Sequence, residues 1–376
     1  MVAAGVAATT AGVLPAFLTG ALGVQLQRDL GFDAAGLGAA VGLFFGAAAV
    51  TSGPAGALAE LLGPRNSVRV GTVGSAAVQV ALAAFLTSWA GLAVAMVLAG
   101  CANALVQPSV NALLMHGAAP DRRGLAFGIK QSGVPAATLL GGAAVPLLAL
   151  TLGWRAAYLA GAVVGVLAAT ALPSTARPPR PPADRRLTSR WLLAVAVATG
   201  LGSATASALA VFLVPTAVQA GAGPAAAGWL LTMGSLTAIV VRILVGWLVD
   251  RHGGRFGTVA TMLVAGAGGF ALLAAPHPVA VVCGVLVAFG LGWGWNGLLN
   301  FAVADSHAER AAATTGVTQA AVYAGATLGP VAFGLIVRSA GLQRAWLATS
   351  LTALAAGLLM AGGRRLRADA LRPGVA

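Results

Sequence analysis

Apolar stretches of roughly 20 residues, separated by short breaks that carry Arg, Asp, Pro or Gly, recur along the whole chain. That is the length a helix needs to cross about 30 Å of hydrocarbon. Runs such as Ala76–Phe85, apolar but for Gln79, do not alternate, which fits helices and not the ~10-residue strands of a membrane barrel. Of the 376 residues, 59% are hydrophobic and 8% charged. A water-soluble domain carries about a quarter charged residues, so a cytosolic enzyme is excluded. The expected fold class is an all-α polytopic membrane protein.

Twelve spans are expected, near 2–27, 34–58, 67–87, 90–116, 124–150, 154–173, 191–219, 225–249, 256–275, 278–303, 312–338 and 342–362. The longest polar stretch, Ser174–Arg190, is rich in Pro and Arg and reads as an extended linker outside the bilayer. It divides the chain into an N-terminal six-helix bundle (1–173), the linker (174–190) and a C-terminal six-helix bundle (191–376). The two halves repeat one another. Gly56–Arg65 recurs as Gly246–Arg255, displaced by 190; Gly128–Gln131 recurs as Gly316–Gln319, displaced by 188; Gln107 and Asn111 answer to Asn296 and Asn300, displaced by 189. Offsets this constant on three helix pairs imply two six-helix repeats, the build of many secondary transporters.

The net charge of +13 is mostly topogenic. With the N-terminus inside, 16 of the 22 Lys and Arg side chains fall in inner loops or the C-terminal tail, four fall outside, and two lie within spans. This positive-inside bias puts both termini in the cytoplasm of a cell inner (plasma) membrane and suits anionic lipid head groups. It leaves no need for a nucleic-acid partner. The first cation, Arg28, follows the first apolar run, so that run reads as a span rather than a signal peptide. Trp89, Trp154, Trp191, Trp229, Trp247 and Trp346 fall near span ends, as an interfacial belt would. Cys101 and Cys283 lie inside spans without metal-ligand spacing, and no ATP-binding loop or catalytic triad occurs. No cofactor or metal is expected.

The paired segments 56–65 and 246–255 resemble the loop signature of the major facilitator superfamily. The second copy, from Gly246 through Asp250, Arg251 and Gly253 to Arg255, matches closely. The first departs, with Glu60 for Asp, Leu61 where an Arg is usual, and Pro64 before Arg65. The resemblance covers the whole chain and implies alternating access by two rocking halves. Gly56 and Gly246 would allow close helix approach. By resemblance, Asp250 would meet the fifth span near Arg122 and Arg123, and Glu60 the eleventh, latching the inner gate in the outward-open state with Arg65, Arg251 and Arg255. A turn with positive-inside anchoring is the alternative.

All nine acids stand at span ends or in loops, whereas two cations, Lys130 and Arg242, stand within spans. A charge at bilayer depth costs about 2.5–3.5 kcal/mol on insertion scales unless it faces a cavity or partner. Arg242 precedes Asp250 by eight residues and Lys130 follows Arg123 by seven, which sets both about 10–12 Å inside the inner edge. In the superfamily architecture the fifth and eighth spans face one another, so both cations would border one cavity, and their missing partner would be an anionic solute. The Arg before the motif Gly resembles porters of monocarboxylates, oxalate and nitrate, although Ala238 and Thr318 stand where two of those patterns carry Asp and Lys. Two alternatives stay open: Lys130 snorkelling to the inner face, and Arg242 bonding backbone carbonyls where the halves meet.

Polar stripes at helical spacing (Asn103, Gln107, Asn111; Thr199, Ser203, Ser207; Asn296, Asn300) suggest inward faces, since an amide facing lipid goes unsatisfied. Helix–helix hydrogen bonding is the competing explanation. The expected substrate-binding set is Arg242, Lys130, Gln107, Asn111, Asn296, Asn300, Gln131 and Trp295, the last with Trp293 as cavity wall or gate. Gly329 and Pro330 in the eleventh span mark a bendable, closely packed helix. The expected function is secondary transport of a small anionic solute such as a carboxylate, coupled to protons or a counter-anion, by a monomer in the bilayer. The alternatives are efflux of amphipathic drug-like compounds and a non-transporting membrane sensor; the short loops argue against the sensor.

Overall fold

The computed structural model of the chain describes residues 2–117, 128–172, 189–252, 255–275, 277–306 and 311–370; within its helices, the side chains of 114–117, 250–252, 304, 305, 311–315 and 367–370 are outside the description. Twelve helical segments run in sequence. They are α1 (Val2–Ala21, continued by Gly23–Leu30), α2 (Ala34–Leu62), α3 (Pro64–Phe85), α4 (Trp89–Gly117), α5 (Gly128–Ala149), α6 (Trp154–Thr170), α7 (Arg190–Gln219), α8 (Pro224–His252), α9 (Arg255–Leu273), α10 (Pro278–Val287, Ala288–Trp293 and Asn296–Ser306), α11 (Ala311–Ala340) and α12 (Leu342–Ala370). Among the described residues, eleven of them are long and apolar enough to cross a membrane and α6, with 17 residues, is the shorter twelfth. There is no strand among the described residues.

The expected spans mark the hydrocarbon core of each helix rather than its ends. α2, α8 and α12 run on past 58, 249 and 362 to Leu62, His252 and Ala370, because a helix does not stop where the apolar pattern does. Two expected helices are interrupted. In α5 a turn at Ser132 precedes Gly133–Ala144, and Val145–Ala149 is a π-helical turn in which the Leu150 N–H donates to the Val145 carbonyl, five residues back. In α10 the run Gly290, Gly292, Gly294 accompanies a π-helical turn over Ala288–Trp293, and the α-helix resumes at Asn296.

The internal repeat is visible in the backbone. Gly31 and Gly221, 190 apart, close the first and fourth turns at one end of the bundle with φ of 68° and 92°; Gly153 and Gly341, 188 apart, close two others with φ of 85° each. Those left-handed conformations are open to Gly and disfavoured for residues with a Cβ, and their offsets match the motif offsets. All described connections at this end are short, and it is called the turn end; the start of α1 at Val2 and the end of α12 at Ala370 belong to the opposite, terminal end.

Within the first half α2 packs on α4, α3 on α4 and α6, and α1 on α5; within the second, α7 packs on α11 and α12, and α9 on α10 and α12. The halves meet through α2 with α11, α5 with α8, and α1 with α7. One hydrophobic core crosses that seam, joining Phe17, Phe44 and Phe45 to Leu209, Phe212, Phe289 and Trp293. A second core, around Trp191, Leu263, Trp295 and Met360, lies wholly in the second half. Outward faces carry Val50, Phe85, Leu193 and Leu351, each more than 60% exposed, which is tolerable against lipid and not against water.

Candidate functional site

The seam between the halves is tight at the turn end and opens toward the terminal end. On α2, a Cβ placed at Gly38 would collide with the Pro330 carbonyl of α11, and one at Gly42 with Val331. One at Gly46 would sit 3.5 Å from Thr327, and at Gly53 and Gly56 no described atom lies within 4 Å. The α5–α8 seam repeats the pattern. Gly142 and Gly228 pack backbone to backbone, Thr138 Oγ1 and Ser235 Oγ are 2.7 Å apart, and Gly128 and Gly246 meet nothing within 4 Å among the described residues. Among the described residues Gly56 and Gly246 therefore have no close neighbour in this conformation, and the small residues that bring the halves together stand near the turn end.

Where the seam parts, the two mid-span cations come together with the amides of both halves. Lys130 is 2% exposed and Arg242 5%. Lys130 Nζ donates to Gln107 Oε1 of α4 at 2.7 Å and to Gln131 Oε1 at 3.2 Å. Gln131 Nε2 donates across the seam to Asn296 Oδ1 at 3.2 Å, which also accepts from Asn300 Nδ2 at 3.1 Å. One network thus joins α4 and α5 to α10. The five amides Gln107, Asn111, Gln131, Asn296 and Asn300 are half-buried, so they border the cleft while the two cations lie behind them. Asn111 Oδ1 has no partner among the described residues.

Arg242 is held by the two helix interruptions. Its Nη1 donates to the Gln131 carbonyl, beside the turn in α5, and its Nη2 to the Trp293 carbonyl at the end of the π-helical turn of α10, at 3.1 Å. Regular helix would consume those carbonyls internally; a break exposes them, and a guanidinium fork can cap two at once. The guanidinium carbon also lies 5.5 Å from the Trp293 ring centroid, a cation–π contact. In this conformation Arg242 bonds backbone carbonyls, as the alternative reading had it, and its Nε remains unpartnered among the described residues.

Trp293, with Phe17 at 6.0 Å and Phe289 at 5.5 Å between ring centroids, closes the head of the cleft toward the turn end. Trp295, expected as a cavity residue, is not one. It is fully buried in the second-half core, packed over Gly202 and Leu263, with its indole N–H bonded at 2.8 Å to the Gly292 carbonyl. Two residues along a helix turn a side chain by about 200°, so only one of the pair can face the seam. The hydroxyl stripe on α7 is likewise structural: Thr199 bonds its own Val195 carbonyl, and Ser203 the Val322 carbonyl of α11. Asn103 is fully buried against Gly12 of α1.

At the terminal end Glu60 is exposed. Arg65 Nη2 donates to the Leu172 carbonyl at 3.3 Å and Arg69 Nε to the Ala169 carbonyl at 3.2 Å, so both cap the end of α6. Arg155 returns the favour at the turn end, donating at 2.9 Å to each of the Ala83 and Leu86 carbonyls that finish α3. Arg255 lies 4.2 Å over the Phe301 ring. The side chains of Asp250 and Arg251, and residues Arg122 and Arg123, are outside the described residues, and with them the expected latch. Three of the six expected belt tryptophans, Trp154, Trp191 and Trp346, are buried: Trp154 donates to Asp29 Oδ2 at 2.6 Å and Trp346 to Thr216 Oγ1 at 3.1 Å, while Trp229 and Trp247 stay exposed. No cluster of metal-ligating side chains occurs among the described residues.

A family model described as Major Facilitator Superfamily matches residues 1–198 and 192–373. Among solved structures, the chain is similar to a bacterial homologue of the human lysosomal transporter Spinster in an inward-facing, occupied conformation, with a TM-score of 0.76 and 17% identity over 99% of this chain and 98% of that one. The inward-facing, unoccupied form of a bacterial Spinster homologue matches with a TM-score of 0.75 and 16% identity over the same shares. No curated protein sequence matches the chain significantly.

Proposed function

The chain belongs to the major facilitator superfamily, and from that premise we propose that this membrane transporter carries a small anionic solute, a carboxylate or an anion of similar size, through the cleft around Lys130 and Arg242. A transporter of this family is not an enzyme and works by alternating access, its halves exposing one site to either side in turn. The observation that carries the anion reading is the joint burial of two cations in one network whose other members are neutral amides. Every carboxylate in the sequence stands at a span end or in a loop. Unpaired buried cations are unfavourable by several kcal/mol, and an anion entering the cleft relieves that cost. Lys130 would be the anchor, with Gln107, Gln131, Asn111, Asn296 and Asn300 as donors and Arg242 exchanging a carbonyl for the anion.

The orientation belongs to the same proposal. With the terminal end in the cytoplasm, the 16 cations stand inside and the open seam faces the cytoplasm of the cell inner membrane. Counterflow in proteoliposomes tests the reading, with lactate, oxalate and nitrate set against neutral sugars and cationic amphipathic dyes. Exchange of one or more anions and of neither other class is expected. Exchange confined to dyes would overturn the anion reading in favour of efflux of amphipathic compounds.

A further inference from the structure

We infer that Lys130 is the proton-binding group of the transport cycle, its amine gaining one proton as the anion enters and releasing it where the anion leaves. The inference rests on the anion reading and adds to it a coupling ion and the atom that holds it.

The first ground is chemical inventory. The chain has one lysine, and its nine carboxylates all stand at span ends or in loops. A proton carried through the middle of the bundle on the protein therefore needs a different group. Arg242 keeps its proton in any protein environment. Tyr158 is in the core, bonded to Thr19 Oγ1 at 2.8 Å, and Cys283 is on an exposed face. Among the described residues, Lys130 is the exchangeable group that belongs to the network at the seam.

The second ground is hydrogen-bond stoichiometry. A neutral amine has two N–H donors and a lone pair; an ammonium has three donors. Lys130 Nζ has two acceptors, Gln107 Oε1 and Gln131 Oε1, and no third among the described residues. Both acceptors are amide oxygens, which suit either protonation state. Protonation creates one further N–H, and the natural acceptor for it is an oxygen of the arriving anion.

The third ground is linkage. The elements around Lys130 present Gln107 from α4, Thr10 from α1, Asn296 and Asn300 from α10, and Arg242 from α8, which bonds the carbonyl of the next residue, Gln131. Arg242 is the charged member of that set. The remaining titratable groups of α4, α8 and α10 toward the terminal end (His116, Asp250, Arg251, His252 and Asp305) have side chains outside the description. An ammonium next to a permanent guanidinium is opposed by it, and an anion between them removes the opposition. Anion and proton therefore favour one another's binding by the same factor. The step balances as amine plus proton plus anion giving an ammonium–anion pair, and reverses on the other side. One N–H bond forms and breaks, nothing is oxidised, and one proton moves with each anion, so the cycle is electroneutral for a monovalent anion.

The experiment uses the full-length protein in proteoliposomes with isotopically labelled lactate, oxalate and nitrate as probes. Wild type is expected to accumulate its anion on an inside-alkaline pH gradient, one proton per monovalent anion, with no response to an imposed potential. Lys130→Arg cannot give up its charge. Whatever exchange rate it retains, its accumulation ratio should lose the response to the pH gradient, by about tenfold for each gradient unit, and should follow the potential instead. A second readout needs no variant. With lysine labelled at Cε by carbon-13, the single lysine gives one resonance, expected to move from the amine toward the ammonium position when the anion is added at constant pH. Gradient-driven accumulation that survives Lys130→Arg, or a resonance that stays put while counterflow proceeds, overturns the proton assignment and leaves the anion reading standing. Absence of anion counterflow in wild type overturns both.

Discussion

Arg242 is the side chain on which the account turns, because two chemistries compete for it. Its fork caps the carbonyls exposed by the breaks in α5 and α10, and the same fork is the binding geometry for a carboxylate. Arg242→Lys keeps the charge but offers a point donor, so transport should fall by about tenfold or more, the equivalent of one charge-assisted hydrogen bond or about 1.5–3 kcal/mol, measured as initial counterflow rate. Arg242→Gln should fall further. Trp295 makes the opposite prediction. Trp295→Phe removes the bond to the Gly292 carbonyl inside the second-half core, lowering unfolding stability by about 1 kcal/mol in a detergent melt while leaving anion affinity unchanged. The signal that separates Trp293 from Trp295 was in the sequence: Asn296, on the polar face of the same span, is three residues after Trp293 and so shares its side of the helix, whereas Trp295 does not. The sequence did mark Gln107, Gln131, Asn296 and Asn300. An amide has more donors and acceptors than one helix can satisfy, so its position carries information. A hydroxyl such as Thr199 bonds the carbonyl four residues back and is content on any face, which is why the α7 stripe misled.

Among the elements, helix pairs are pinned by different devices within and between the halves. Within the first half, arginines at opposite ends staple α3 to α6: Arg65 and Arg69 cap α6, and Arg155 caps α3. Cations at helix C-termini also favour the dipole. Arg155→Ala should cost about 1 kcal/mol of stability, allowing for partial exposure, read as a lower melting temperature without a change in substrate preference. Between the halves the devices are glycines and hydroxyls that permit contact without fixing it. Gly142 touches the Gly228 carbonyl and Thr232, so Gly142→Leu should prevent closure of the turn end. A cysteine replacing buried Ala210, beside Gly20 on the α1–α7 seam, should then react faster with a membrane-impermeant maleimide, with Cys101 and Cys283 removed. The number and order of helices were legible from apolar run length, and the repeat from offsets near 189. The interruptions in α5 and α10 were not, because hydropathy is blind to one extra residue in a turn; the local signs were Pro146 in α5 and the glycine run from 290 to 294 in α10.

At the scale of the molecule, the seam converges at the turn end and diverges at the terminal end, and alternating access requires the converse arrangement to be reachable. The device that holds the closed end is modest. Arg338 and Asp33 approach only to 4.0 Å and are more than half exposed, a pair worth about 0–1 kcal/mol. Closure there rests on apolar packing and small residues, which can part without stranding charge. Spin labels at exposed Leu61 on α2 and Gly316 on α11 should therefore draw together when the transported anion is added, while labels near Asp33 and Arg338 move apart; unchanged distances at both ends would contradict rocking about the central site. The most direct test of the central claim, that the network around Lys130 and Arg242 holds an anion, is equilibrium binding of the labelled anion to purified protein. The account predicts saturable binding in wild type, displaced by small anions and not by cationic dyes, and weakened about tenfold or more in both Lys130→Gln and Arg242→Gln. Equal affinity in the wild type and the two variants would contradict it.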